Sequence, residues 1–178
     1  MIYTATELPG ALIVDLEIRE DERGHFTRTW CRREFEEHGL PGSVVQCSMS
    51  FTRRRGTLRG LHYQVAPHAE DKLVRCTHGA IWDVVVDLRP ESPSYLQHLG
   101  VELRADTGRA LFVPKGFAHG FQTLEDATQV FYQMTEFHVP DAGGGVRWND
   151  PAFGIQWPVR NPILHPRDAG YPDFRPTT

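Results

Sequence analysis

Hydrophobic and polar positions along this chain alternate in short runs, with a period of two and not 3.6. Residues 80–88, AIWDVVVDL, place Trp82, Val84, Val86 and Leu88 on one side of an extended segment. Residues 127–138, ATQVFYQMTEFH, place Val130, Tyr132 and Met134 on one side, with Phe131, Gln133, Thr135 and Phe137 on the other. Further strands are predicted over 11–18, 44–51, 57–64, 72–76, 97–104 and 110–113. Turn residues separate them: Gly24 within DERGHF (21–26), His78–Gly79, and the loop PKGFAHG over 114–120, which sets His119 in a glycine-flanked turn. One segment departs from the pattern. Residues 30–39, WCRREFEEHG, read as a short helix with Phe35 inward, Glu34, Glu36 and Glu37 outward, and Gly39 and Pro41 closing it. About ten short strands with one or two short helices predict an all-β, jelly-roll barrel with an open mouth.

At 178 residues the chain is expected to form a single domain, 1–178, with a segment from about 141 to 178 packing on the barrel. Nineteen basic against 23 acidic residues give a net charge of −4, which offers no nucleic-acid groove. The run Arg53, Arg54 and Arg55 reads as a solvated turn. No apolar run is long enough to span a bilayer, and the N-terminus lacks the basic start and long apolar stretch of a signal peptide. Three cysteines, Cys31, Cys47 and Cys76, form neither an even set nor a CxxC pair, which fits a reducing compartment. The expectation is a cytoplasmic protein without membrane or nucleic-acid partners.

The polar residues that interrupt the pattern concentrate in 56–83, GTLRGLHYQVAPHAEDKLVRCTHGAIWD. Arg59, His62 and Lys72 fall within predicted strands, where charged and imidazole groups mark a lined cavity. Cations there suit a phosphate or carboxylate on a bound molecule. A metal site built on a His-x-His pair would draw on His62, His68, Glu70 and His119. It fails at the first step, because Gln64 stands where the second histidine of the pair would chelate. Arg59 and His62 are three apart, so a regular strand would turn them to opposite faces. If both reach one cavity, the strand must bulge, and Gly60 is the place for it.

In order along the chain, DERGHF, RGTLRGLHYQ, KLVRC, WDVVVDLR, VPKGFAHGF, VRWNDPAFGIQWP and PRD resemble the dTDP-4-dehydrorhamnose 3,5-epimerase family, over roughly residues 5–170. That resemblance implies a cofactor-free, cupin-like jelly-roll homodimer acting on a nucleotide-linked 4-keto-6-deoxyhexose in deoxysugar biosynthesis. It implies His62 as general base, Asp168 as its partner, Tyr132 as general acid and Lys72 beside the sugar ring. Arg59, His119 and Gln46 match substrate-binding positions, and Arg167, beside Asp168 in the PRD motif, is counted with them as substrate-binding. Arg23 and Phe26 match residues that hold the nucleotide in the partner subunit's site, which requires an exchanged N-terminal strand. The departures lie on the nucleotide side. Arg28 replaces a glutamate, and Cys47, Ser48 and Met49 replace polar positions expected to line the site. His138, with Phe137 beside it, replaces a stacking aromatic, and Gly143 replaces an acidic residue. These leave open whether the nucleotide is dTDP, CDP, GDP or UDP, and whether C3, C5 or both are inverted. Three rival readings remain at this point: a 3,4-ketoisomerase on a related nucleotide sugar, a metal-dependent cupin oxygenase, and a non-catalytic sugar-binding or structural cupin. His68, Glu70 and His78 are expected to be loop and surface residues.

Overall fold

The computed structural model describes residues 1–175. Thirteen strands and two short helices form among them. The strands are β1 (Ile2–Ala5), β2 (Leu12–Asp15), β3 (Arg19–Asp21), β4 (Gly24–Phe26), β5 (Gln46–Thr52), β6 (Leu58–Gln64) and β7 (Lys72–His78). They continue with β8 (Ala80–Asp87), β9 (His98–Arg104), β10 (Ala110–Val113), β11 (Phe117–Thr123), β12 (Thr128–Met134) and β13 (Gly143–Gly145). Helix α1 spans Arg32–Glu37 and α2 spans Pro166–Ala169. The last three residues of the expected C-terminal segment, 176–178, lie outside the described residues.

The strands stack as two antiparallel sheets, with β1-β2-β10-β7-β12-β5 on one side and β13-β6-β11-β8-β9 on the other. This is the cupin-like jelly roll, and β3 and β4 form a separate hairpin outside it. Strand alternation explains the three layers of apolar packing. Between the sheets lie Val74, Ile81, Val85, Leu111, Phe117, Phe121 and Val130, which come from both sheets. The outer face of the five-stranded sheet presents Leu61, Val84, Val86 and Ala118 to Val146, Phe153, Trp157 and Phe174 of the C-terminal segment. The outer face of the six-stranded sheet presents Val14, Leu73 and Phe112 to Phe35 of α1 and to Trp30. Each sheet therefore buries apolar area on both of its faces, between the sheets and beneath the segments that cover them. Trp82, Val84, Val86 and Leu88 do share one face, as their spacing predicts.

The helix at 30–39 forms, with Phe35 buried and Gly39 in the left-handed region at φ +70°. Glu34 does not simply face solvent, because it pairs with Arg28 and with the N-terminal ammonium. The glycine-flanked turn expected around His119 is instead the middle of β11. Phe117, His119 and Phe121 alternate inward, and the pairing of β11 with β8 is regular from Phe117 to Thr123. The apolar neighbours of His119 extend the strand through the glycine. No helix among the described residues is long and apolar enough to cross a membrane.

Candidate active site

The apolar layer between the sheets ends at one mouth of the barrel, and polar side chains take its place. On the six-stranded sheet, Ser48 lies opposite Tyr132, Gln46 opposite Met134, and Met134 opposite Lys72. These positions share the parity of the core residue Val130, so Gln46, Ser48, Ser50, Lys72 and Tyr132 all belong to the inner face. The other sheet contributes β6 and β11. Their register pairs His119 with His62 and Phe121 with Arg59, so two residues of β6, Gly60 and Leu61, oppose the single Gly120. That bulge returns Arg59 to the same side as His62, because each faces an inward residue of β11. Gly60 is needed there. Its φ is +126°, and a Cβ would lie 2.5 Å from the Gly120 Cα.

Two adjoining lobes open between the sheets, of about 680 and 620 Å³. The first is lined by Ser50, Arg59, His119, His165 and Asp168, and the second by Gln46, Ser48, Glu70, His138, Gly143 and Tyr171. His62, Lys72, Tyr132 and Arg167 line both. A larger groove of about 1010 Å³ lies apart from these four, along Tyr63, Val146 and Phe174.

The tail delivers Asp168 to His62. The bridge of Thr57 with Ile163 ties the tail beside β6, His165 caps α2 and Pro166 starts it. Asp168, 4% exposed at its side chain, then accepts three hydrogen bonds: from His62 Nε2 at 2.8 Å, Gly60 N at 3.1 Å and Arg167 Nε at 3.3 Å. His62 Nε2 and Arg167 Nε converge on the same carboxylate oxygen, Oδ1, which brings Arg167 Nη2 within 3.0 Å of His62 Nε2. Burial raises the carboxyl's pKa, but these donors outweigh it and hold Asp168 below its ordinary range. His62 is pushed below its ordinary value, first by burial and then by the positive charges of Arg167 and Lys72, against the pull of Asp168. A neutral imidazole with Nε2 protonated leaves Nδ1 as the basic nitrogen.

Across the cavity, Tyr132 is held by Ser50 at 3.2 Å, and burial drives its phenol pKa well above the ordinary value. Lys72 pairs with Glu70 at 3.0 Å, with side chains 14% and 10% exposed. His119 Nε2 donates to Asp83 at 2.7 Å, a carboxylate facing inward between Ile81 and Val85. The Arg59 guanidinium donates to Thr52 Oγ1 and to the Phe51 carbonyl.

Several expectations need correction. Glu70 is part of the cavity wall and Lys72's partner, not a loop residue facing solvent. Cys47 and Met49 have the opposite parity from Ser48 and point outward, so of the three only Ser48 lines the cavity. Phe137 is exposed and outside both lobes, whereas His138 lines the second and its backbone N–H donates to Gln46. Arg23 and Phe26, expected to serve a partner subunit's site, and Arg28 beside them lie outside this chain's own cavity, which is no correction of that expectation. Arg23 pairs with Asp21, Arg28 pairs with Glu34, and Phe26 is 76% exposed on the β3–β4 hairpin. Gln64 donates to the carbonyls of His68 and Phe137 and accepts from Val139 N, which explains its burial without a metal. Among the described residues no three of His, Cys, Asp and Glu are grouped to hold a metal ion. Sequence reading missed Ser50, Asp83, His165 and Tyr171. Only Asp83 carried a signal, as an acidic residue inside an otherwise apolar run.

Known proteins resemble this chain in both sequence and fold. The family model for dTDP-4-dehydrorhamnose 3,5-epimerase matches residues 5–176. The chain is 41% identical over 174 residues to the dTDP-4-dehydrorhamnose 3,5-epimerase of Salmonella typhimurium, covering 97% of this chain and 94% of that one. The crystal structure of the Bacillus anthracis enzyme of that name, with TDP and PPi bound, superposes with a TM-score of 0.94 at 42% identity, over 97% of this chain and 99% of that one. A 3'-monoepimerase from Streptomyces bikiniensis in complex with dTDP-quinovose gives a TM-score of 0.88 at 30% identity, covering 94% and 85%. With the match running almost from end to end, the chain belongs to the dTDP-4-dehydrorhamnose 3,5-epimerase family.

Proposed function

We propose that this chain, as one catalytic domain, inverts a dTDP-linked 4-keto-6-deoxyhexose at C3 and C5, the reaction that yields a dTDP-4-dehydro-L-rhamnose-type product for deoxysugar biosynthesis. One observation carries the reading: a histidine on one sheet, paired with a carboxylate from the tail helix, and a partly buried tyrosine on the other sheet line the same cavity. Hydrogens on C3 and C5 flank a ketone and become acidic once the enolate oxygen is stabilised. His62 Nδ1 takes the proton from carbon, and the electron pair moves to the 4-oxygen. Asp168 keeps the proton on Nε2 and offsets the imidazolium that forms. Lys72 stabilises the enolate oxygen as a fixed cation. Tyr132, kept protonated by its raised pKa, returns a proton to the same carbon from the opposite face. Inversion follows because base and acid stand on facing sheets with the ring between them. Arg59 and His119 bind substrate oxygens. Gln46, Ser48, His138 and Arg167 serve the nucleotide side of the second lobe.

Arg23, Phe26 and Arg28 act, in this reading, in a second copy of the chain. The support is their exposure on a hairpin away from their own cavity, together with Met49, 63% exposed, and Phe51 on the outer face of edge strand β5. A homodimer exchanging this hairpin covers those surfaces and completes both sites. The unbridged Cys31, Cys47 and Cys76 fit a reducing, cytoplasmic setting.

The decisive experiment incubates the protein with dTDP-4-dehydro-6-deoxy-D-glucose in deuterated water. NMR should show deuterium at both C3 and C5 and the L-configured product. Absence of exchange at both carbons would refute the reading, and exchange at one alone would make it a monoepimerase. Mixing His62→Ala protein with Phe26→Ala protein, each impaired alone, should restore activity if the hairpin serves the partner's site. No restoration in a mixed dimer refutes the exchange.

A further inference from the structure

The residues assigned above leave Tyr171 without a task, yet it sits in a prepared slot beside the base. Its ring meets the His62 ring edge to face, with centroids 6.3 Å apart and planes at 67°. It lines the second lobe together with His62, Gly143 and Gly144. The slot is made by the glycines of β13. Gly145 pairs directly with His62 across the β13–β6 ladder. A Cβ built on Gly145 would overlap the Tyr171 ring, whose atoms are its three nearest neighbours. At Gly144 the corresponding Cβ would strike the ring of Tyr63. Only a strand without side chains lets an aromatic ring lie against the backbone there, level with the imidazole. Tyr171 follows Asp168 by three residues, just after Gly170 caps α2, so one turn of the tail delivers both the orienting carboxylate and the ring.

We propose that Tyr171 is a positioning residue for His62: its ring, seated in the Gly145 slot, fixes the imidazole's orientation and excludes water from one edge of it. This rests on His62 being the general base. The other groups facing that imidazole are Asp168 and Arg167 from α2, Lys72 from β7 and His119 opposite it on β11. None of them supplies an apolar wall. The ring does, and burial is the leading cause that lowers the His62 pKa.

The test compares Tyr171→Phe, Tyr171→Leu, Tyr171→Ala and Gly145→Ala in steady-state kinetics across pH, with thermal melts alongside. Tyr171→Phe should match the parent, because the ring and not the hydroxyl acts. Tyr171→Ala and Gly145→Ala should lose about tenfold in kcat with KM little changed, as expected when a catalytic group loses its orientation. The acidic limb of kcat/KM should move to higher pH, since a hydrated imidazole protonates more readily. Tyr171→Leu, which fills the slot, reads out the same way between Phe and Ala if alanine unfolds the tail. The proposal is overturned if Tyr171→Ala and Tyr171→Leu keep the parent's kcat and pH profile. It is equally overturned if Tyr171→Phe is as impaired as alanine, or if the loss falls on KM alone, which would make the residue a substrate contact. Full activity in His62→Ala would remove the base assignment itself, a result none of the Tyr171 variants can mimic.

Discussion

Replacing Asp168 by Asn changes one oxygen to an NH2 group and nothing in size. The geometry allows that amide no comfortable orientation. With NH2 at the inner position it faces the Gly60 N–H, 3.1 Å away, and two donors oppose each other. With NH2 at the outer position it faces His62 Nε2 at 2.8 Å and Arg167 Nε at 3.3 Å. It must then donate to the histidine, which moves the ring proton to Nδ1 and blocks the basic nitrogen. The variant also lacks the charge that stabilises the imidazolium. Unit charges at 2.8 Å in a medium of effective dielectric near 20 attract by about 6 kcal/mol, before desolvation is subtracted. A net loss of about 3–5 kcal/mol corresponds to a decrease in kcat on the order of 10²–10⁴-fold. The assay is solvent-deuterium incorporation at C3 and C5, followed by NMR under single-turnover conditions, so that product release does not mask the chemistry. Both carbons should slow together, because one base serves both. An Asp168→Asn enzyme within threefold of the parent would refute the orienting role and the assignment of Nδ1 as the base.

Three further outcomes are expected. Tyr132→Phe removes the donor and its contact with Ser50; exchange at carbon should persist while inversion falls about 10²-fold or more, seen as deuterium uptake without a change of configuration. Glu70→Gln keeps the shape of Lys72's partner but not its charge. A loss of about fivefold in kcat is expected, and a larger one for Glu70→Ala, by analogy with the cost of stripping a mostly buried pair; parent kinetics in both would refute a role for the pair. Stability should fall on the acid side. His62 and Asp168 both have folded pKa values below their unfolded ones, so each contributes stability above its unfolded pKa and loses it as pH drops through the folded value. The melting temperature should begin to decline below about pH 6.5 from His62 and steepen below about pH 3.9 from Asp168. In His62→Asn the first decline should be shallower, and an unchanged slope would argue against burial as the cause.

The strands, turns and helix were legible because their signal is local. Alternation of period two placed Trp82 and Val84 on one face, and Tyr132 on the same side as Val130, with no knowledge of their neighbours. Gly60 between Arg59 and His62 announced the bulge for the same reason: two polar side chains three apart on one strand share a face only if the ladder slips. The error at His119 was also local. Flanking glycines suggest a turn, and what overrode them was the register of β11 between β6 and β8, a contact between distant segments.

Arrangement across the barrel was not legible in this way. His62 and Asp168 are 106 residues apart; the PRD motif pairs them only through the family resemblance, while periodicity and composition leave Asp168 a surface acid in a C-terminal tail, and the physical link is the bridge of Thr57 with Ile163 that ties that tail beside β6. Asp83 faces the core only because His119 comes to meet it, and Glu70 enters the wall only because Lys72 stands beside it. Such pairs are decided by burial. A charge removed from water must find its partner wherever the fold brings one, whatever its distance in sequence. The sequence by itself therefore determined the sheet faces, the bulge and, through its motifs, the family. Only the tertiary structure decided that Asp83 meets His119 and Glu70 meets Lys72, that Cys47 and Met49 point outward, and that Tyr171 lies against His62. Side-chain direction is a property of a few consecutive residues, whereas partnership in a cavity is a property of the whole packed chain.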